Sequence, residues 1–157
     1  MQSRNYKYRA VSLLGLVVLS VTFLSFLFSP GGDHFEIYLN KKLVLHQFVI
    51  QGERIKAITL DHRNLNEQVD ILYSHCGKIG SKRTILIKEG KNILKQWRFS
   101  DGSGTSKFVT VGAKEILLLQ SKNGGRKLNL YYSSEQLPEG RILATIIFNA
   151  DSKDAMP

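Results

Sequence analysis

The sequence predicts an all-β fold, an antiparallel β-sandwich of Ig-like or jelly-roll-like type, behind an N-terminal transmembrane helix. Three observations lead there. An uncharged run, residues 10–28, follows a basic start. Behind it, about ten short segments rich in β-branched and aromatic residues recur at 8–12-residue spacing. Gly, Asn and Ser, the residues that turns favour, stand between them.

Residues 1–9 carry Arg4, Lys7 and Arg9 and no acid. As a helix, the apolar run would span about 28 Å, close to the hydrocarbon thickness of a bilayer. Positive charge before it predicts an N-in, C-out orientation. Residues 1–9 are thus read as a basic cytoplasmic N-terminus and 10–29 as a transmembrane anchor or uncleaved signal. Residues 30–34 are a linker, 35–150 the sandwich domain and 151–157 a flexible tail. The expected location is the inner (cytoplasmic) membrane, single-pass, with the C-terminal domain outside the cytoplasm. The alternative is a cleaved signal peptide, which would release the domain to the periplasm. Signal peptides usually have a shorter apolar region, about 7–15 residues. No cysteine stands directly after the run, which argues against a lipoprotein anchor.

The strands are expected in order. FEIYL and LVLHQFVI are joined by NKK, a hairpin signal. IKAITL follows QGER, and VDILYSHC follows the polar DHRNLNEQ. RTILIKE and NILKQWRF flank GK, a second tight hairpin. KFVTV, EILLLQ, KLNLYYS and ILATIIF complete the set. NLNEQVDIL and VGAKEILLLQ hold good helix formers, but lack the caps and length to outrank strands. Alternation puts Val69, Ile71, Tyr73 and His75 on one face of their strand, and Asp70, Leu72, Ser74 and Cys76 on the other. By the same rule Ile85 and Ile87 share a face, and Ile93, Lys95, Trp97 and Phe99 share another. Trp97 is read as a core anchor.

The formal net charge is +9. Setting Arg4, Lys7 and Arg9 aside leaves nineteen basic against thirteen acidic residues, +6 for the domain. That balance favours anionic ligands or acidic faces of other envelope proteins. Nucleic acid is not expected outside the cytoplasm, and the aromatics sit in strand patterns, not as a spaced stacking platform.

The stretch YSHCGKIGSKR, 73–83, concentrates the reactive residue types. Cys76 is the only cysteine, so it is a buried inert thiol, an intermolecular disulfide or a working site. Its neighbours Lys78, Lys82 and Arg83 would favour a thiolate, but no nucleophile motif leads into a helix. Those three cations, with Gly77 and Gly80, form a candidate anion or partner contact. The loop is no P-loop, since GxxxxGK[ST] and its helix are missing. A metal reading draws on His34, His46, His62, His75 and Cys76, which fall within 34–76 without HxH, HxxxH or CxxC spacing. Asp61, Asp70, Asp101 and Glu115 are scattered, and turn chemistry accounts for most of them. DGSG, 101–104, lacks the further oxygen ligands of a calcium loop. No cofactor is implied.

The run YSHCGKIGSKRTILIKEGKNILKQWRF, with LYYSSEQLPEGRILATI, resembles small extracytoplasmic β-rich proteins of Bacteroidetes-type bacteria. The resemblance implies an export or anchor segment and a β-sandwich, and carries no activity. The expectation is a membrane-anchored extracytoplasmic binding or accessory module of the cell envelope, without catalysis. Its edge strands would be open to strand addition. The alternative is a small metal-binding or redox protein using the histidines and Cys76. Oligomeric state is open.

Overall fold

A computed structural model of the chain describes residues 32–101 and 106–149. The anchor at 10–29, most of the DGSG loop and the tail at 151–157 lie outside the described residues. Among those residues no helix is long and apolar enough to cross a membrane.

Among the described residues, ten strands form two sheets. The first sheet runs β2 (Lys42–Phe48), β1 (His34–Leu39), β4 (Gln68–His75). The far edge of β4 is shared: residues 68–71 pair with β8 (Val109–Gly112) and residues 74–75 with β5 (Lys78–Ile79). The second sheet runs β3 (Ala57–Leu60), β10 (Leu137–Phe148), β9 (Leu128–Ser134), β6 (Thr84–Glu89), β7 (Asn92–Arg98). One buried cluster joins the sheets. Phe35, Ile37, Val69, Ile71 and Tyr73 come from the first, and Ile85, Ile87, Leu130, Tyr132 and Ile146 from the second. This is an all-β, sandwich-like layering, and burial of such side chains contributes about 1.5–3 kcal/mol each.

The hairpins form where the turn chemistry sits. Asn40 and Lys41 both take positive φ, +49° and +65°, between β1 and β2. This left-handed pair matches the twist of the flanking strands. Gly90, at φ +56°, opens the turn between β6 and β7.

Three expectations need correction. The sheets are not wholly antiparallel, because β3 and β10 pair in parallel. EILLLQ is not a strand but part of helix α1 (Ala113–Lys122). Ala, Leu, Lys, Glu and Gln dominate it and Ile116 is its only β-branched residue; Glu115 in the first turn and Lys122 in the last suit the helix dipole. Ala113 and Ile116 are buried, and Glu115 ties the helix to β7 by accepting from Trp97 Nε1 at 3.3 Å. Finally, Ile93 does not share the inward face with Trp97. A bulge gives Leu94 no partner on β6, so the register passes from Ile87↔Lys95 to Lys88↔Ile93. The parity flips there: Leu94 packs against the core and Ile93 is exposed. Trp97, opposite Ile85, does pack on the core.

Candidate functional site

Of the two faces that alternation separates on β4, the one with Val69, Ile71 and Tyr73 is buried, and His75 ends it. Tyr73 stacks on Tyr132 from the other sheet, with centroids 4.5 Å apart and planes 3° off parallel. The chain turns at Cys76 and Gly77, with φ of +50° and +86°. They make a two-residue hairpin turn between His75 and Lys78. Gly77 N–H donates to Ser74 Oγ at 3.0 Å and steadies it. Cys76 is therefore an exposed turn residue, correcting the reading that placed it buried. Its thiol donates to Asp33 Oδ1 at 3.6 Å. Desolvation first, then the hydrogen bond to Asp33 and its charge, push the thiol pKa up. This is the reverse of what a nucleophilic cysteine needs.

The turn brings together residues that sequence inspection did not connect. His75 Nε2 and Ser134 Oγ are hydrogen-bonded at 3.0 Å, and His75 Nδ1 lies 3.4 Å from Asp33 Oδ2. Tyr73 Oη donates to Asp33 Oδ2 at 3.0 Å. Ser134, His75 and Asp33 thus have the connectivity of a Ser–His–Asp nucleophile set. Packing decides against that use in this conformation. Gly80 roofs the pair: a Cβ there would fall 2.9 Å from His75 Nε2, 2.9 Å from Ser134 Cβ and 2.7 Å from Tyr132 Oη. Ser134 itself is 5% exposed. A reacting carbonyl needs to come within about 3–3.5 Å of the nucleophile, and backbone already fills that space. The network cross-links the sheets instead. Burial pushes the Tyr132 phenol pKa up; Ser134 tempers this, yet no aligned hydrogen bond reaches Tyr132 Oη.

The glycine–lysine loop is clamped to the turn between β9 and β10. Ser81 N–H donates to Gln136 Oε1 at 2.9 Å, and Ser81 Oγ to Glu135 Oε2 at 2.8 Å. Lys82 Nζ donates to Glu135 Oε1 at 2.9 Å, while Lys82 N–H donates to Asp101 Oδ2 at 2.6 Å. Hydrogen bonds from Lys82 and Ser81 hold the Glu135 carboxyl below its usual range, and the same pairing raises Lys82. Arg83 is only 3% exposed. Its Nη1 donates to the carbonyls of Ser106 and Lys107 at 3.0 and 3.2 Å, and its Nε–H has no partner. Lys78 lies exposed on β5. The three predicted cations thus do not converge as one cradle. Lys82 is paired and Arg83 is internal. Arg83 lines a shallow cleft of about 470 Å³ with Lys82 and Arg98, and a neighbouring one with Lys107; Asp101 borders both. Neither Arg98 nor Lys107 was singled out from sequence.

The four histidines fall in three places. His34 and His46 meet edge-on on neighbouring strands, centroids 5.8 Å apart, beside Phe48. His62 sits on a 3-10 turn (His62–Asn66) capped by Asp61, and His75 belongs to the network above. Among the described residues no three His, Cys, Asp or Glu side chains group as a metal set. The acids behave as turn and cross-strand residues. Asp61 accepts from Arg63 N–H at 2.8 Å, and Asp70 from Thr110 Oγ1 at 2.6 Å.

No family model, curated protein or solved structure matches this chain.

Proposed function

We propose that the chain is a membrane-anchored, extracytoplasmic binding module of the cell envelope, with no catalysis of its own. Residues 10–29 hold it in the inner membrane, and an Ig-like or jelly-roll-like sandwich presents its cationic end to an acidic partner. The observation that carries the reading is Arg83. A guanidinium almost wholly removed from solvent keeps one N–H unmatched beside a cleft that Arg98 flanks. Buried donors are normally satisfied; this one has no solvent access, so what Arg83 offers an anion in the cleft is the field of a positive charge that no carboxylate pairs with. Arg98 and Lys107 pair with no acid among the described residues, and the domain's balance of +6 draws anions toward them.

The test uses the full chain in lipid nanodiscs and a sulfated polysaccharide as the anionic probe. Binding should weaken steeply with salt, and Arg98→Glu with Lys107→Glu should weaken it by about tenfold or more at low salt. An affinity unchanged by this double reversal rejects the cationic-end reading. The metal or redox alternative rests on the His34–His46 contact alone; zinc or copper retained by the chain and lost on His46→Ala would favour it.

A further inference from the structure

The two most exposed large apolar side chains among the described residues stand together where the chain enters the domain. Ile50 is 67% exposed and Phe48 55%. Phe48 pairs with His34, the first residue of β1, and Val49 N–H donates to the carbonyl of Asp33 at 2.8 Å. Ile55, also exposed, borders the same hollow as Ile50 in the connection between β2 and β3. Single apolar side chains on a surface are ordinary, but a cluster at one rim marks a contact.

Cations surround this cluster. Arg54 and Lys56 are exposed on either side of Ile55. On the other flank of β1, His34 pairs with Ser74, so the Cys76–Gly77 turn and the exposed Lys78 stand at the same end. The second sheet brings Arg98 there too: Arg98 pairs with Thr84, Thr84 with Ser133, and Ser134 meets His75. The nearby acids are held. Glu53 lies 3.8 Å from Lys56, Asp33 accepts from Tyr73 and Cys76, and Lys82 holds Asp101 and Glu135. Arg54, Lys78 and Arg98 form no ion pair among the described residues.

The length of the connection to the anchor says what covers this rim. Residues 30–33 alone join the proposed anchor to β1, and fully extended they reach no more than about 20 Å. With residues 10–29 in a bilayer, this end of the domain is the one held nearest the membrane face. Apolar side chains ringed by Lys and Arg are what an interfacial contact with anionic lipid requires. We propose that this end docks on the anionic phospholipid surface of the chain's own membrane. Phe48, Ile50 and Ile55 enter the boundary between headgroups and acyl chains, and Arg54, Lys78 and Arg98 meet the phosphates around them. The inference rests on the anchor proposed above and names a partner for the cationic end. Docking orients the sandwich, so that the Asn40–Lys41 and Gly90 turns at its other end point away from the membrane.

Ile93 supplies the control. It is 54% exposed, close to Phe48, but stands beside the Gly90 turn at the opposite end. The full chain, with its isoleucine methyls isotope-labelled, is placed in nanodiscs of phosphatidylcholine and phosphatidylglycerol that carry a nitroxide on the fifth acyl carbon. The NMR signals of the Ile50 and Ile55 methyls should lose about threefold or more intensity relative to that of Ile93. Phe48→Ser with Ile50→Ser, both at exposed positions, should bring Ile55 close to the level of Ile93. Equal losses at Ile55 and Ile93 in the wild-type chain overturn the proposal and need no variant to fold. Losses as large in discs of phosphatidylcholine alone reject the anionic surface. A chain that elutes apart from the discs overturns the anchor and this inference together. A chain that elutes with them yet shows equal losses overturns the docking alone.

Discussion

Two clusters of polar side chains face inward between the same two sheets, and they have opposite fates. Asp33, His75 and Ser134 are the residue types of a hydrolase, yet each is matched by a neighbour and Gly80 closes the space above them. Gln47 and Arg141 carry no catalytic look; with Glu53 they border open volume, and Gln47 Oε1 is buried without a donor. A buried polar group that is satisfied rigidifies a fold, whereas one left unmatched costs stability. Residue identity alone marks the first cluster as reactive; its matched hydrogen bonds and its glycine roof make it a structural one.

Substitutions at the two clusters should move stability in opposite directions. Gly80→Ala would force a methyl onto Tyr132, His75 and Ser134 and should destabilise by about 1–3 kcal/mol. Gln47→Leu removes an unmatched buried acceptor and adds apolar contact, so it should be neutral or stabilise by about 1 kcal/mol. Urea unfolding followed by the fluorescence of Trp97, the single tryptophan, reads both. A tolerated Gly80→Ala would mean that the roof moves, and the Ser–His pair would then need reconsidering as a reactive centre. That possibility has its own check. A fluorophosphonate that labels activated serines should leave Ser134 unmodified in the folded chain, and labelling there would break the contrast.

Much of the fold was legible before any coordinates. The hairpin at Asn40–Lys41 declared itself through turn chemistry, and the buried face of β4 through alternation. What escaped was whatever depends on one residue of slippage or on distant convergence. The bulge at Leu94 turns Ile93 outward, and the irregularities around Gly140 and Leu143 turn Arg141 inward. Neither has a period that sequence can display. Ser134 reaches His75 across fifty-nine positions, and Asp33 joins from a stretch read as linker. The run of leucines in α1 fits a buried strand as well as a helix, and only packing against the core decides. In YSHCGKIGSKR, His75 enters the buried network and Cys76 is a turn residue.

Cys76 tests the thiol reading more gently. Being exposed, it should react with iodoacetamide in the folded chain, unlike a buried thiol. Because desolvation and Asp33 raise its pKa, alkylation should be slow at neutral pH and rise with a midpoint above that of a free cysteine. A midpoint below that value would restore a working thiol.

The smallest expected effect is at the clamp between the glycine–lysine loop and the β9–β10 turn. Glu135 titrates lower in the folded chain than its usual value, so the folded state favours its ionised form. Its contribution is complete above the unfolded pKa and fades as pH falls through the folded one. Lys82→Ala should therefore lower the urea midpoint only slightly at neutral pH, and the gap from wild type should shrink on acidification below the normal glutamate range. Both partners are exposed, so solvent and salt screen the pair and the shift should be near the limit of measurement. A large loss instead would mean that the clamp also orders Ser81 and Gly80, and hence that the roof over His75 depends on it. The closed cluster would then owe its closure to a surface ion pair, and acid would be expected to loosen it.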